Sequence, residues 1–217
     1  MLRNNGLSLA LLVVFMLFWL GQAIAGWSVF NDDQIDHGRP VLGFAAYLAS
    51  PHFWESTAEN WESEFLQMAA YVALTAVLFQ RGSAESKNPD KPHPTDRPIP
   101  ANLPPDAPWA LRKGGRLIRW LYSYSLSLAF VILFLGSLIA HALSGYAMHN
   151  EEQLAHGATP DTMMDYLTGA QFWFQALQNW QSEFLAVFAI AVLSIFLRHK
   201  GSPESKPLDM PNRDNPE

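Results

Sequence analysis

The sequence predicts an all-α integral membrane protein, a four-helix bundle built from two tandem helical hairpins. Three observations predict this fold: long uncharged apolar stretches, an internal repeat, and an uneven distribution of cations. The 217-residue chain is 49% hydrophobic and only 16% charged, whereas soluble domains carry about a quarter charged residues. Two hairpins in the same orientation would form a parallel repeat, related by a pseudo-twofold axis along the membrane normal.

Four apolar stretches predict the transmembrane helices, since a bilayer core requires about 20 apolar residues in a helix. The predicted spans are about 7–30, 61–80, 122–148 and 180–198. The second helix is expected to begin outside the bilayer, with Ser50 as N-cap and Pro51 at its first position. Residues 7–25 also resemble a signal peptide, but the repeat places an equivalent helix in mid-chain, where signal peptidase does not act.

The repeat has a constant offset of 119 residues, which aligns Ser8 with Ser127 and continues without a gap to Lys87 and Lys206. The motif NWESEFL at 60–66 returns as NWQSEFL, and NDDQIDHG at 31–38 returns as NEEQLAHG. The repeated units and the segments outside them are predicted as a first unit at 1–87, a linker at 88–121, a second unit at 122–206 and a polar tail at 207–217.

The linker has two parts with different compositions. Residues 88–108 are rich in proline, which predicts an extended, polyproline-like chain. The following segment, WALRKGGRLIRWL, places cations beside tryptophan and leucine, as juxtamembrane segments that contact anionic lipid do. The cations expected to contact anionic lipid are Arg112, Lys113, Arg116 and Arg119.

The distribution of cations predicts the orientation in the membrane. Segments 31–64 and 149–183 contain twelve carboxylates and one cation, Arg39. Because Lys and Arg accumulate on the cytoplasmic side, we expect cytoplasmic N- and C-termini, a cytoplasmic linker, and external loops at 31–60 and 149–179. Acidic loops of this kind raise the local concentration of cations.

The acidic motif NDDQIDHG admits two interpretations. Asn31 fits a helix N-cap, with Gln34 at N3 and Gly38 at the C′ position, and the second copy repeats these residues. Its carboxylates and His37 are also metal-ligand types, but this spacing alone does not make ligands converge. The capping interpretation is favoured, and we expect no metal and no cofactor.

Four polar residues form the candidate site, an intramembrane cluster. Gln22 and Glu64 are predicted at one depth, about 22 and 24 Å from the cytoplasmic ends of their helices at 1.5 Å per residue. His141 and Glu183 are their equivalents in the second unit. Ionisable groups inside a membrane usually face a partner or a pathway, so we expect both glutamates to approach Gln22 and His141. The alternative is that the glutamates are hydrated residues of the interface.

The chain resembles an uncharacterised family of bacterial membrane proteins, catalogued as a domain of unknown function. The resemblance depends on the NDDQIDHG loop, on FWESTAENWESEFLQMAAYVALTAVLFQRGS at 53–83, and on the ESK that closes each unit. It implies a location in the bacterial inner membrane. It implies no activity, so no catalytic residue follows from it.

Three functions are compatible with these features. The first is a non-enzymatic membrane protein with an acidic external face for interaction or cation attraction. The second is a small channel or proton-coupled carrier that uses Glu64, Glu183 and His141; four helices leave little room for a pore, so it would be a homo-oligomer. The third, a haem-binding redox protein, is disfavoured because only one histidine lies in a predicted span. Nucleic acid is not an expected partner.

Overall fold

The computed structural model describes residues 2–216, with side chains from Asn4 onwards, and every regular element in this part of the chain is helical. The all-α expectation is therefore confirmed. In chain order the helices are α1 Leu2–Asp36, α2 Phe44–Tyr47, α3 Pro51–Val77, α4 Trp109–Lys113, α5 Arg116–Ser123, α6 Ser125–Ala155, α7 Met163–Thr168 and α8 Ala170–Phe196, with a 3-10 turn at Pro94–Asp96.

Three of these helices are long and apolar enough to cross a membrane: α1 over Asn4–Asp36, α6 and α8. The prediction of four spans is therefore corrected to three candidates, because α3 does not meet this standard. Its first half carries Glu55, Glu59, Glu62 and Glu64, and the apolar part that follows ends with the helix at Val77. That part is shorter than the roughly 20 residues a bilayer requires.

The apolar surface of α1 is characteristic of a helix in lipid. Large hydrophobic side chains are exposed around its first half, and Leu7 and Phe18 are 75% and 76% exposed. Contiguous apolar surface of this extent is unusual on a soluble protein and marks contact with a membrane or a partner. The exposure therefore agrees with the hydropathy of α1.

The acidic motif does not begin a new helix, so the prediction of Asn31 as an N-cap is wrong. α1 continues through Asn31 to Asp36, since extending a helix is easier than nucleating another. The Asn31 amide instead holds the following loop: its Nδ2 donates to the Leu42 carbonyl (3.0 Å), and its Oδ1 accepts from the Leu42 N–H (2.8 Å). Asn150 forms the same two bonds with Asp161, at 3.1 and 2.8 Å.

The end of α1 and the start of α3 agree with the predictions made from the sequence. Gly38, two residues after the last residue of α1, has a φ of +65°, the left-handed conformation expected of a C′ residue. At the start of α3, the Ser50 Oγ accepts a hydrogen bond from the Phe53 N–H (3.3 Å) and Pro51 is the first helical residue. Both expectations are confirmed.

The chain divides into two compact units that differ from the sequence repeats. Unit 1 comprises Met1–Glu59 and Leu138–Trp173, and unit 2 comprises Asn60–Ser137 and Phe174–Glu217. The buried core of unit 1 contains Ala23, Tyr47 and Phe53. Because each unit combines segments of both repeats, the bounds of the four predicted segments stay a prediction.

Candidate functional site

Two of the four predicted polar residues, Gln22 and His141, lie in unit 1. Gln22 is half-buried, and its side-chain amide donates to the Ser56 Oγ at 3.2 Å. His141 is 0% exposed, and its ring packs against Phe172 with 5.0 Å between the ring centroids. The two equivalent residues are therefore buried to different degrees, and their approach to the two glutamates stays a prediction.

The two predicted glutamates lie together in unit 2. The carboxyl groups of Glu64 on α3 and Glu183 on α8 lie close enough to interact with each other. Gln67, one turn after Glu64, donates its side-chain N–H to the Glu183 carbonyl at 2.8 Å. Glu183 is half-buried and Glu64 is exposed. The approach of this pair to Gln22 and His141 stays a prediction.

Glu62, the most deeply buried glutamate of the NWESEFL motif, is not among the predicted site residues. Glu62 is 0% exposed, and its Oε1 accepts a hydrogen bond from the Trp180 indole at 2.9 Å. Its equivalent in the second repeat is Gln181. The prediction favoured Glu64 because its equivalent, Glu183, is also a glutamate. The available signal was helical spacing, because Glu55, Glu59 and Glu62 follow one another at i, i+4 and i+7 on one face of α3.

A tyrosine packs against a glycine at equivalent positions of the two repeats. The Tyr47 hydroxyl touches the site where a Cβ on Gly26 would lie, and the Tyr166 hydroxyl does the same at Gly145. Both tyrosines are buried, which raises the pKa of each hydroxyl, that of Tyr166 to about 12. Glu55 also acts on Tyr166 in that direction.

The two tyrosines differ in their polar partners. The Tyr47 hydroxyl is 3.1 Å from the His52 Nδ1. Burial lowers the pKa of His52, which favours the neutral ring as a hydrogen-bond partner. In the second repeat Gln171 replaces this histidine, and the Tyr166 hydroxyl is buried without a hydrogen-bond partner among the described residues.

A histidine and an aspartate join the end of α6 to the loop that follows. The His149 Nε2 lies 2.7 Å from an Asp161 carboxylate oxygen, and the His149 ring packs against Tyr166 at 5.4 Å. The Tyr146 hydroxyl donates to the Asp161 carbonyl at 3.0 Å. These contacts hold the loop that follows α6 beside Tyr166.

The two GSxESK motifs, residues 82–87 and 201–206, are partly buried in unit 2. The Tyr71 hydroxyl donates to the Glu85 carboxylate, which also lies close to the carboxylate of Glu204, its own equivalent in the second repeat. Burial raises the pKa of Glu85, and Glu204 acts in the same direction. The Ser83 Oγ lies 3.1 Å from the Ser194 Oγ.

The predicted polar tail packs against the first GSxESK motif. The Asn215 amide donates to three carbonyls, those of Gln80, Ser83 and Ser86, at 2.9 to 3.1 Å. Its Oδ1 accepts from the Gly82 N–H at 2.9 Å. The end of the chain is therefore held by the first repeat.

A second set of contacts folds the tail on itself around Lys206. The buried ammonium of Lys206 donates to the carbonyls of Pro211, Asn212 and Asp214, at 3.0 to 3.3 Å. Burial lowers the pKa of Lys206, and the nearby Arg198 lowers it further. Three carbonyl acceptors compensate for the loss of hydration around this ammonium.

The acidic side chains do not converge into a typical metal site. In the part of the chain that the structure describes, no three histidine, aspartate or glutamate residues are arranged to hold a metal ion.

Comparison with known proteins identifies a family but no activity. Over residues 1–217 the chain matches a family described as a domain of unknown function (DUF6766). No curated protein and no solved structure matches the chain. The resemblance to an uncharacterised family is thus confirmed, and the family description assigns no role to any side chain.

Proposed function

Because the chain belongs to DUF6766, whose function is unknown, we propose its role from its own charges and contacts. We propose a non-enzymatic, multi-pass protein of the bacterial inner membrane that gathers cations on an acidic external face. One observation carries the proposal: two apolar helices, α1 and α6, end in the same exposed acidic motif. The exposed carboxylates of the two motifs are Asp32, Asp33, Asp36, Glu151 and Glu152.

The proposed orientation follows from the same charges. Lys and Arg accumulate on the cytoplasmic side of a membrane, so the acidic segments, with their single cation, face outward. Both termini and the linker are then cytoplasmic. The exposed cations of α4 and α5 lie at the surface of the inner leaflet, where they contact anionic lipid.

Placing both acidic segments outside requires a return crossing between α1 and α6. We assign this crossing to residues 61–77 of α3, which reach the lower limit of about 17 residues for a helix that spans a bilayer core. The polar side chains of Glu62 and Gln67 bond to α8, so they are shielded from lipid. A helix with satisfied polar residues is tolerated in a bilayer although its hydropathy is low.

Contacts between equivalent residues support the parallel repeat. In a twofold arrangement, a residue can touch its own equivalent only where it lies close to the axis. Glu64 pairs with its equivalent Glu183, and Glu85 pairs with its equivalent Glu204. A single pseudo-twofold axis that passes between both pairs accounts for the two contacts.

A proton-coupled carrier or small channel is the second candidate, and the Glu64–Glu183 pair favours it. Two neighbouring carboxylates repel each other, and a proton bound to one of them relieves the repulsion, so the pair can serve as a proton-binding element. Glu64 is also exposed in the single chain, as a residue at a homo-oligomer interface would be. Proton uptake by proteoliposomes that is lost in Glu64→Gln would favour this candidate over the first.

The leading proposal is tested with a thiol placed beside the acidic motif. Ala155→Cys introduces the only cysteine, at an exposed position at the end of α6. We expect a cationic thiol reagent to react severalfold faster than an anionic one, because the carboxylates concentrate cations there. Replacing the five exposed carboxylates by their amides should remove this preference, and high salt should reduce it.

A matched control separates the acidic face from the net charge of the protein. It neutralises five carboxylates of the linker, the second GSxESK motif and the tail, namely Asp90, Asp96, Asp106, Glu204 and Asp209. Under the proposal this control retains the preference for the cationic reagent. An equal loss in both variants, or no preference in the Ala155→Cys protein, would contradict the proposal.

A further inference from the structure

We propose that Tyr166, Glu55 and Glu59 form a binding site for a small hard cation in unit 1. The inference rests on the proposed function and deepens it, because it names where a cation gathered at the external face is bound. Tyr166 lies on α7 and the glutamates lie on the first turns of α3. All three belong to the same compact unit.

The geometry brings the side chains of Tyr166 and Glu55 to one point on α6, and Glu59 lies one turn further along α3. The Tyr166 hydroxyl lies against Gly145, at the position where a Cβ would be. The Cγ of Glu55 is 3.5 Å from that position. Both carboxylates act electrostatically on the tyrosine, and together with burial, the largest cause, they raise its pKa to about 12.

The buried hydroxyl of Tyr166 indicates that this position accommodates a ligand. Tyr166 is 3% exposed, and its hydroxyl has no hydrogen-bond partner among the described residues. Buried polar groups almost always have a hydrogen-bond partner in the protein or an ordered water molecule. Glu55 and Glu59 are only half-buried, so a ligand can reach them from the external side. A partly hydrated cation held by the carboxylates would place a bound water molecule beside the hydroxyl as its partner.

The donor atoms select the class of ligand. Carboxylate and hydroxyl oxygens are hard ligands, and Mg²⁺ and Ca²⁺ prefer such ligands. Mg²⁺ is often bound through one or two carboxylates while it keeps several water molecules. The described residues provide no set of three histidine or acidic ligands at this point, which fits a partly hydrated cation better than a dehydrated transition metal.

The first repeat provides an internal control for this site. Tyr47 occupies the position equivalent to Tyr166 and also lies against a glycine, Gly26. Its hydroxyl is paired with the His52 Nδ1 at 3.1 Å. The equivalents of Glu55 and Glu59 are Phe174 and Gln178, so the repeat supplies no carboxylates there. Tyr47 should therefore take no part in cation binding.

The test is calorimetric titration of the purified full-length protein in detergent. MgCl₂, CaCl₂, NaCl and KCl are titrated separately at constant ionic strength, which distinguishes divalent from monovalent cations. We expect one of these cations to bind saturably, with one ion per chain. Glu55→Gln and Glu59→Gln should each raise Kd about tenfold or more, and Tyr166→Phe should raise it severalfold. Tyr47→Phe should leave Kd within about twofold of the wild-type value.

Two outcomes would overturn the site: no saturable binding of any of the four cations, or an equal weakening in Tyr47→Phe and Tyr166→Phe. Should Tyr166→Phe fail to fold, Glu59→Gln keeps the side-chain shape, and unchanged binding in that variant also overturns the site. The thiol-reagent ratio at Ala155→Cys does not depend on these residues. If the preference for the cationic thiol reagent is absent but a cation still binds saturably, only the proposed function is contradicted. If the preference is present but no cation binds, only the binding site is contradicted.

Discussion

At the scale of single residues, the contacts between tyrosine and glycine show how two repeats of one sequence reach different chemistry. Gly26 and Gly145 each let a tyrosine hydroxyl approach the backbone of a long helix. The hydroxyl of Tyr47 then finds a histidine, whereas that of Tyr166 faces glutamates of the other repeat. The shared feature is a packing requirement, and the difference between the partners provides the candidate binding site.

This packing predicts the effect of adding a methyl group at Gly26. Gly26→Ala should lower the free energy of unfolding by about 1–3 kcal/mol, because the new Cβ would overlap the Tyr47 hydroxyl and force repacking. The control is Gly21→Ala, also in α1, where nothing lies within 4 Å of the added Cβ. That variant should be as stable as the wild type or up to about 1 kcal/mol more stable, since alanine favours helix.

Unfolding in detergent, followed by circular dichroism, measures both variants. Equal stabilities for Gly26→Ala and Gly21→Ala would contradict the close contact. The comparison is informative because both substitutions have the same intrinsic helix preference. Any difference between them therefore reports the surroundings of the two glycines.

The sequence predicted some of these residues and not others, for a definable reason. Glu64 and Glu183 were identified because the repeat shares them, and the structure places them together. Glu62 and Tyr166 were missed because their partners, Trp180 and the glutamates of α3, come from the other repeat. Helical spacing places residues on a face, but it does not indicate which helix covers that face.

At the scale of elements, apolar length was predicted well and helix ends were predicted less well. α1 contains the first predicted span, and α6 and α8 cover most of two others, since uncharged apolar runs are a direct signal. Asn31 was misassigned because its capping preference is weaker than the tendency of a long helix to continue. α3 was predicted as a span from its second half alone, and its first-half glutamates lower its hydropathy.

The tail is an element that composition did not reveal, and its packing gives a second prediction. Asn215→Ala should remove four hydrogen bonds to the first GSxESK motif and release residues 207–216. The expected loss of stability is about 1–3 kcal/mol, because the carbonyl and amide groups lose buried partners. Hydrogen exchange should become faster at residues 80–86, which Asn215 now covers.

A neighbouring substitution serves as the control for the tail. Arg213 is exposed and forms only a 3.7 Å ion pair with the adjacent Asp214. Arg213→Ala should therefore change stability by less than about 0.5 kcal/mol. Protection of residues 80–86 that is unchanged in Asn215→Ala would show that the tail is not held by this side chain.

At the scale of the whole molecule, the central claim is that both acidic motifs face the same side of the membrane. The three helices that are long and apolar enough to span a membrane do not by themselves place both motifs on one side, because the chain must cross back between α1 and α6. It requires the return crossing that we assign to α3, with Glu62 and Gln67 shielded by α8. The cation-gathering face, the candidate cation site and the parallel repeat all depend on that crossing.

Labelling of single cysteines tests this claim most directly, because the chain has no cysteine of its own. Asp32→Cys and Glu151→Cys are exposed, equivalent positions of the two acidic motifs, and Lys113→Cys reports the linker. With a membrane-impermeant maleimide, the account predicts that both motif positions react in intact spheroplasts. Lys113→Cys should react only after the membrane is permeabilised. Reaction of Asp32→Cys and Glu151→Cys from opposite sides of the membrane would contradict the account.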